Sequence, residues 1–119
     1  MQSLRSEKDI DRTFRDGARY YSPWAVLHAR RRSEEEMASA LPRLTVITGK
    51  KFRRAVPRNR ARRLLRESVQ VLLGRQAAPW DLLLVARLDV LETTAEERLS
   101  TLQALLRKAG VLAEPPAQT

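Results

Sequence analysis

An α+β sandwich, with helices laid against one sheet, is the fold class this sequence predicts, and three observations carry it. Amphipathic stretches with helix-capping residues occur near 7–16, 56–74 and 95–109. Runs of β-forming residues occupy Trp24–Ala29 and Leu44–Thr48. Finally, Leu82–Ala86 is an unbroken apolar run suited to a strand buried on both faces. The resulting order is helix, strands, helix, strand, helix. With 119 residues, 43% of them hydrophobic, the chain has material for one core and one domain. That domain is expected over 1–112, with a frayed tail at 113–119 where apolar periodicity ends.

Ser6 followed by Glu7 and Asp9 reads as a helix N-cap with acids in the first turn, and Gly17 as the stop. Ile10 and Phe14, four apart, are the expected inward positions of this helix. Between the first two predicted strands, Arg30 to Pro42 is polar and carries Glu34, Glu35 and Glu36, so it is expected to be an exposed, mobile connection with its acids in solvent. Pro57 is tolerated in a helix's first turn, which starts the second helix near Val56 and ends it near Gly74. On that helix Ala61, Leu64, Leu65, Ser68 and Leu72 cluster on one side, while Asn59, Arg63 and Arg66 fall opposite, flanked by Arg60 and Arg62. Thr94 and Glu97 form a capping box for the last helix, whose expected buried face is Leu99, Leu102, Leu105, Leu106 and Ala109 before Gly110.

Charge position says more than charge total. The net charge is +9, and between Lys50 and Arg66 stand nine basic residues with no acid; outside that segment acids and bases are equal in number. A solvated face ordinarily mixes both signs. An unmixed, arginine-rich segment instead favours phosphate, because the guanidinium fork meets it with two hydrogen bonds and also stacks on bases. Nucleic acid is the expected partner.

Other classes are excluded by what is missing. Without cysteine there is no disulfide, thiolate nucleophile or zinc–thiolate site, and one histidine cannot build a multi-histidine metal centre. No carboxylate pair or nucleophile–base pattern stands out. The first ten residues lack an apolar signal-peptide core and no run is long enough to span a bilayer, so a soluble cytoplasmic protein is expected.

The segment from Gly49 to Glu67, GKKFRRAVPRNRARRLLRE, resembles the signature of the bacterial ribonuclease P protein subunit, with its Arg-Asn-Arg core at Arg58, Asn59 and Arg60. Flanking pieces match in order: Leu4–Gly17 resembles the family's first helix, Trp24–His28 its first strand, and Asp81–Arg87 the strand before its closing helix. The resemblance covers about Leu4 to Gly110. It implies the order α-β-β-β-α-β-α, with a third strand to be found near Arg19–Ser22. It also implies a left-handed crossover around the basic helix, although about 98% of such crossovers are right-handed.

The resemblance further implies that RNA is the catalytic component. That RNA removes the 5′ leader of precursor tRNA with bound Mg2+, and the protein contributes no catalytic residue, metal ligand or cofactor of its own. Lys50, Lys51, Arg53, Arg54, Arg58, Asn59, Arg60, Arg62, Arg63 and Arg66 would bind the catalytic RNA. Ile10, Phe14, His28 and Arg87 would line a cleft for the single-stranded leader. The implied partners are the catalytic RNA and precursor tRNA, with no membrane, the protein being a monomer within a ribonucleoprotein. Ile10 and His28 stand where the family commonly has aromatics, and Arg53 where it commonly has glycine, which shifts the expected balance from stacking toward phosphate contact. The other readings are a ribosomal or other structural RNA binder, and a helix-turn-helix DNA regulator. The latter lacks a partner helix before residue 57, where Thr45–Lys51 reads as extended.

Overall fold

Two residues of strand, β1 (Gln2–Ser3), open the chain, followed by α1 (Glu7–Asp16), β2 (Ala18–Tyr21), β3 (Ala25–Arg31), β4 (Arg43–Thr48), α2 (Ala55–Leu73), β5 (Trp80–Ala86) and α3 (Ala95–Ala109). Single 3-10 turns lie at Glu34–Glu36 and Leu88–Glu92. The structure, a computed structural model, describes residues 1–36, 40–74, 76 and 78–113. The expected α+β order is present, and the third strand forms at Ala18–Tyr21. The two-residue β1 and both 3-10 turns are additions with too little periodicity to read. Of the expected tail, residues 114–119 lie outside the described residues.

The five strands form one mixed sheet in the order β1-β4-β5-β3-β2. β1, β4 and β5 run parallel, while β5, β3 and β2 are antiparallel neighbours. β4 and β5 are adjacent, so α2 is the crossover between two parallel strands. The apolar run in β5 is explained by this central place: Leu82, Leu83 and Leu84 are all fully buried, with helices on both faces.

One face carries Leu27, Leu44, Val46, Leu82, Leu84 and Ala86 against α2 and α3, and this is the main core. α2 buries Ala61, Leu65, Ser68, Val69 and Leu73. Leu64 and Leu72, expected inside, are half-buried. The stripe turns toward Val69 and Leu73 because α2 rests on α3 as well as on β4. On α3, Leu102, Leu105 and Leu106 are buried as expected, and Leu99 and Ala109 sit at the margin. Thr94 caps α3 by accepting a hydrogen bond from the Glu97 N–H, and Gly110 closes it at φ 85°.

α1 covers the opposite face, and here the expected inward pair is corrected. Thr13 is the fully buried residue of α1, Ile10 is half-buried and Phe14 is 44% exposed. A short helix resting on a sheet near a tight turn needs a small contact residue at its closest approach. Thr13 serves, its hydroxyl donating to the Asp9 carbonyl at 2.8 Å. Gly17 is required directly after the helix, since a Cβ there would collide with the Thr13 carbonyl oxygen and stand 3.1 Å from that of Ala29.

Candidate RNA-binding surfaces

The basic segment begins in the turn that leaves β4. Gly49 N–H donates to the Ala86 carbonyl at 3.0 Å and Phe52, 1% exposed, plugs the core, so the chain between them is held while Lys50, Lys51, Arg53 and Arg54 point outward. Arg54 occupies the N-cap without a side-chain cap bond, which leaves the first amides and the positive end of the α2 dipole beside these cations. Asn59, Arg60, Arg62 and Arg63 are exposed along the next turns. Arg58 and Arg66 are half-buried and already bonded. Arg58 Nε donates to the Phe52 carbonyl at 3.0 Å, and Arg66 donates to Ser3 Oγ at 3.2 Å and to the Leu44 carbonyl at 3.5 Å. Arg66 therefore does not lie opposite the core but ties α2 to the sheet edge. Among the described residues, none of the basic side chains from Lys50 to Arg66 has a carboxylate within salt-bridge distance. Lys50, Arg58 and Arg62 line one recess of about 430 Å³. A second groove, about 440 Å³, brings Lys50 and Lys51 together with Arg87, over a floor that includes Pro23, Phe52 and Leu88. Arg87, expected beside Phe14, is thus found with the Lys50–Lys51 turn.

The expected leader cleft lies where α1 meets the sheet. Phe14 stacks on His28 with ring centroids 4.8 Å apart and planes at 25°, and the Arg19 guanidinium lies 5.8 Å above the Phe14 ring. Arg19 is the cross-strand partner of His28, which places it there. His28 is 3% exposed. Burial first, and then the Arg19 charge, hold its pKa below the ordinary 6.5, opposed by a hydrogen bond with the Phe14 backbone. One register step along the sheet, Tyr21, Val26, Val85 and Ile47 form a row across four strands, all on the α1 side.

The stretch from Arg30 to Pro42 is not a free connection. Arg30 and Arg31 belong to β3, and Arg32 is buried, donating to Asp81 Oδ1 at 2.7 Å, to the Trp80 carbonyl at 3.0 Å and to the Leu41 carbonyl at 2.6 Å. Asp81, fully buried in β5, also accepts from Arg43 Nε at 2.7 Å and Nη2 at 2.6 Å. Glu36 is no solvated acid. It accepts from Arg30 at 2.7 Å and 2.9 Å, pairs with Arg12 of α1 at 3.3 Å, and has its pKa pushed down to about 2, chiefly by the Arg30 hydrogen bond. Arg43 also meets Asp9 of α1 at 3.4 Å. Sequence reading missed this network because its members are up to 49 residues apart. The one signal was an acid, Asp81, at the head of a run that is otherwise apolar. Residues 37–39 of the connection lie outside the described residues.

A mixed sheet carrying a cation-rich helix on one face and an aromatic-edged cleft on the other defines the class: a small α+β domain with one strongly basic side. The family described as Ribonuclease P matches residues 1–110. The Ribonuclease P protein component of Mycobacterium avium is 38% identical over 101 residues, covering 84% of each chain. That of Chloroflexus aurantiacus is 32% identical over 120 residues, covering 98% of this chain and 83% of the relative. The chain belongs to the ribonuclease P protein family. Its fold is shared with the Staphylococcus aureus RNase P protein, at a TM-score of 0.75 and 22% identity over 93% of this chain and 97% of that one. The Thermotoga maritima RNase P protein gives 0.70 and 21% over 90% and 97%.

Proposed function

We propose that this chain is the protein subunit of ribonuclease P, a component of the endoribonuclease that matures the 5′ end of tRNA. In this reading it binds the catalytic RNA through Lys50, Lys51, Arg53, Arg54, Asn59, Arg60, Arg62 and Arg63, with Arg58 and Arg66 reaching RNA only by giving up or sharing their present bonds. It meets the 5′ leader along the face bounded by Ile10, Phe14, His28 and Arg87. The observation that carries the reading is the run of cations from Lys50 to Arg63, exposed but for Arg58 and with no acid among them, along the entry turn and first turns of α2 in a member of this family. Phosphates approaching it displace counterions rather than internal partners.

The chemistry is assigned to the RNA and its Mg2+. Asp81 and Glu36 are occupied by arginines, an unsuitable donor set for a metal ion. Among the described residues no group of three His, Asp or Glu side chains could hold one. No helix there is long and apolar enough to cross a membrane. A cytoplasmic monomer within a ribonucleoprotein completes the reading. The test is reconstitution with bacterial ribonuclease P RNA and a precursor tRNA. Protein alone should leave the substrate intact, and protein plus RNA should cleave it at lower Mg2+ than RNA alone. Cleavage by the nuclease-free protein, or an unchanged Mg2+ requirement, overturns the proposal.

A further inference from the structure

We propose that Tyr21, at the end of β2, is the stacking platform for an unpaired base of the RNA leader, with Arg19 on the same strand taking the adjoining phosphate. The inference rests on the leader reading above and assigns it a residue that family resemblance did not single out.

Strand alternation sets which side chains share the cleft. His28 faces α1, because its ring stacks on Phe14; Arg19 and Tyr21, the cross-strand partners of His28 and Val26, therefore point to the same side. Of the two aromatics edging this face, Phe14 already has a ring partner and a cation above it. Tyr21 is 65% exposed, and among the described residues its ring has neither an aromatic nor a cationic partner and its hydroxyl no hydrogen bond. It stands at one end of the row completed by Val26, Val85 and Ile47, the last 38% exposed, so a partly open apolar shelf extends from the phenol ring across the sheet.

The surroundings select an RNA strand as the occupant. Arg19 is exposed, its guanidinium resting over the Phe14 ring with no carboxylate in salt-bridge distance among the described residues, and lies about 7 Å from Tyr21 along the strand, close enough for one nucleotide to meet both through its base and phosphate. Past the shelf, the ends of β4 and β5 lead into the groove of Lys50, Lys51 and Arg87, so cations stand at both ends of the apolar row. Such an alternation of π-face and cation suits a single strand, whose bases can turn their faces outward, and not a duplex, whose faces are already stacked.

The experiment uses the reconstituted holoenzyme and two precursor tRNAs, one with a leader of several nucleotides and one with a single nucleotide. Tyr21→Ala is expected to weaken binding of the long-leader substrate by roughly tenfold, within the range for loss of one base–aromatic stack, and to leave the short one unchanged. Tyr21→Phe should keep the wild-type preference, since stacking needs the ring and not the hydroxyl. A Tyr21→Ala protein that keeps the full preference, or that weakens both substrates equally, overturns the assignment. So does a Tyr21→Phe protein as defective as Tyr21→Ala. If the wild-type holoenzyme cleaves but shows no leader preference, the leader half of the proposed function falls together with Tyr21. Failure to reconstitute any Mg2+ benefit refutes the proposed function itself and is seen before any variant is made.

Discussion

Thr13 and Phe14 exchange the places that hydrophobicity alone would give them: the hydroxyl residue is buried and the aromatic ring is nearly half exposed. A threonine can be buried without penalty here because its hydroxyl is satisfied by the carbonyl one turn back. Phe14 gains instead from one face of contact with His28. The consequence for His28 is measurable, and because the chain has a single histidine its NMR titration is unambiguous. Its midpoint is expected below 6.5, and Arg19→Ala should raise it without restoring the ordinary value, since burial is the larger cause. The unfolded chain takes up this proton more readily than the folded one, so His28 costs stability as pH falls from 6.5 through the folded midpoint. A midpoint at or above 6.5 would refute this account of the Phe14–His28–Arg19 arrangement.

α1 is an element seated by charge more than by apolar area. Asp9 and Arg12 reach Arg43 and Glu36, which are themselves held by Asp81 and Arg30, while Thr13 is the helix's one fully buried side chain. This seat fixes the height of α1 over the sheet and so the width of the cleft. It should loosen in acid. The Glu36 pKa of about 2 lies below its ordinary 4.5, so the carboxylate contributes stability that is fully present above 4.5 and is lost as pH falls toward 2. Glu36→Gln is expected to melt lower than wild type near neutral pH, and the two melting curves should converge as pH 2 is approached. Melting temperatures that stay parallel across that window would show that Glu36 does not hold the helix through its charge.

At the scale of the molecule, the net positive charge resides on one side, in the turn and helix that join β4 to β5. Self-repulsion there is tolerated because the side chains are exposed to solvent and counterions, which makes the surface sensitive to salt. Replacing Arg60, Arg62 and Arg63 together by alanine should leave the fold intact, all three being exposed. Affinity for the catalytic RNA should fall, and the slope of log affinity against log salt should flatten by roughly 2 to 3, at about 0.7 to 0.9 per phosphate contact. A folded triple variant with the wild-type slope would reduce the helix to a solvated face.

Element order, helix caps and the location of the charge are all local properties, and they were legible in the residues: Ser6, Thr94, Gly17 and Gly110 cap where they should, and Leu82–Ala86 is the central strand. The sequence by itself therefore determined the fold class and, through the Gly49–Glu67 motif, the family. What only the tertiary structure decided depends on partners distant along the chain. Arg32, Arg43 and Asp81 read as unrelated charges until the sheet brings them into one buried network. Arg58 and Arg66 read as free cations until the Phe52 and Leu44 carbonyls stand beside them. Tyr21 read as one residue of the third strand expected near Arg19–Ser22 until pairing with β3 set it on the open side of the cleft. Periodicity reports which way a side chain points from its own backbone; what it meets there is set by chain closure over tens of residues, and that is where the ion pairs, the cleft and its open aromatic were decided.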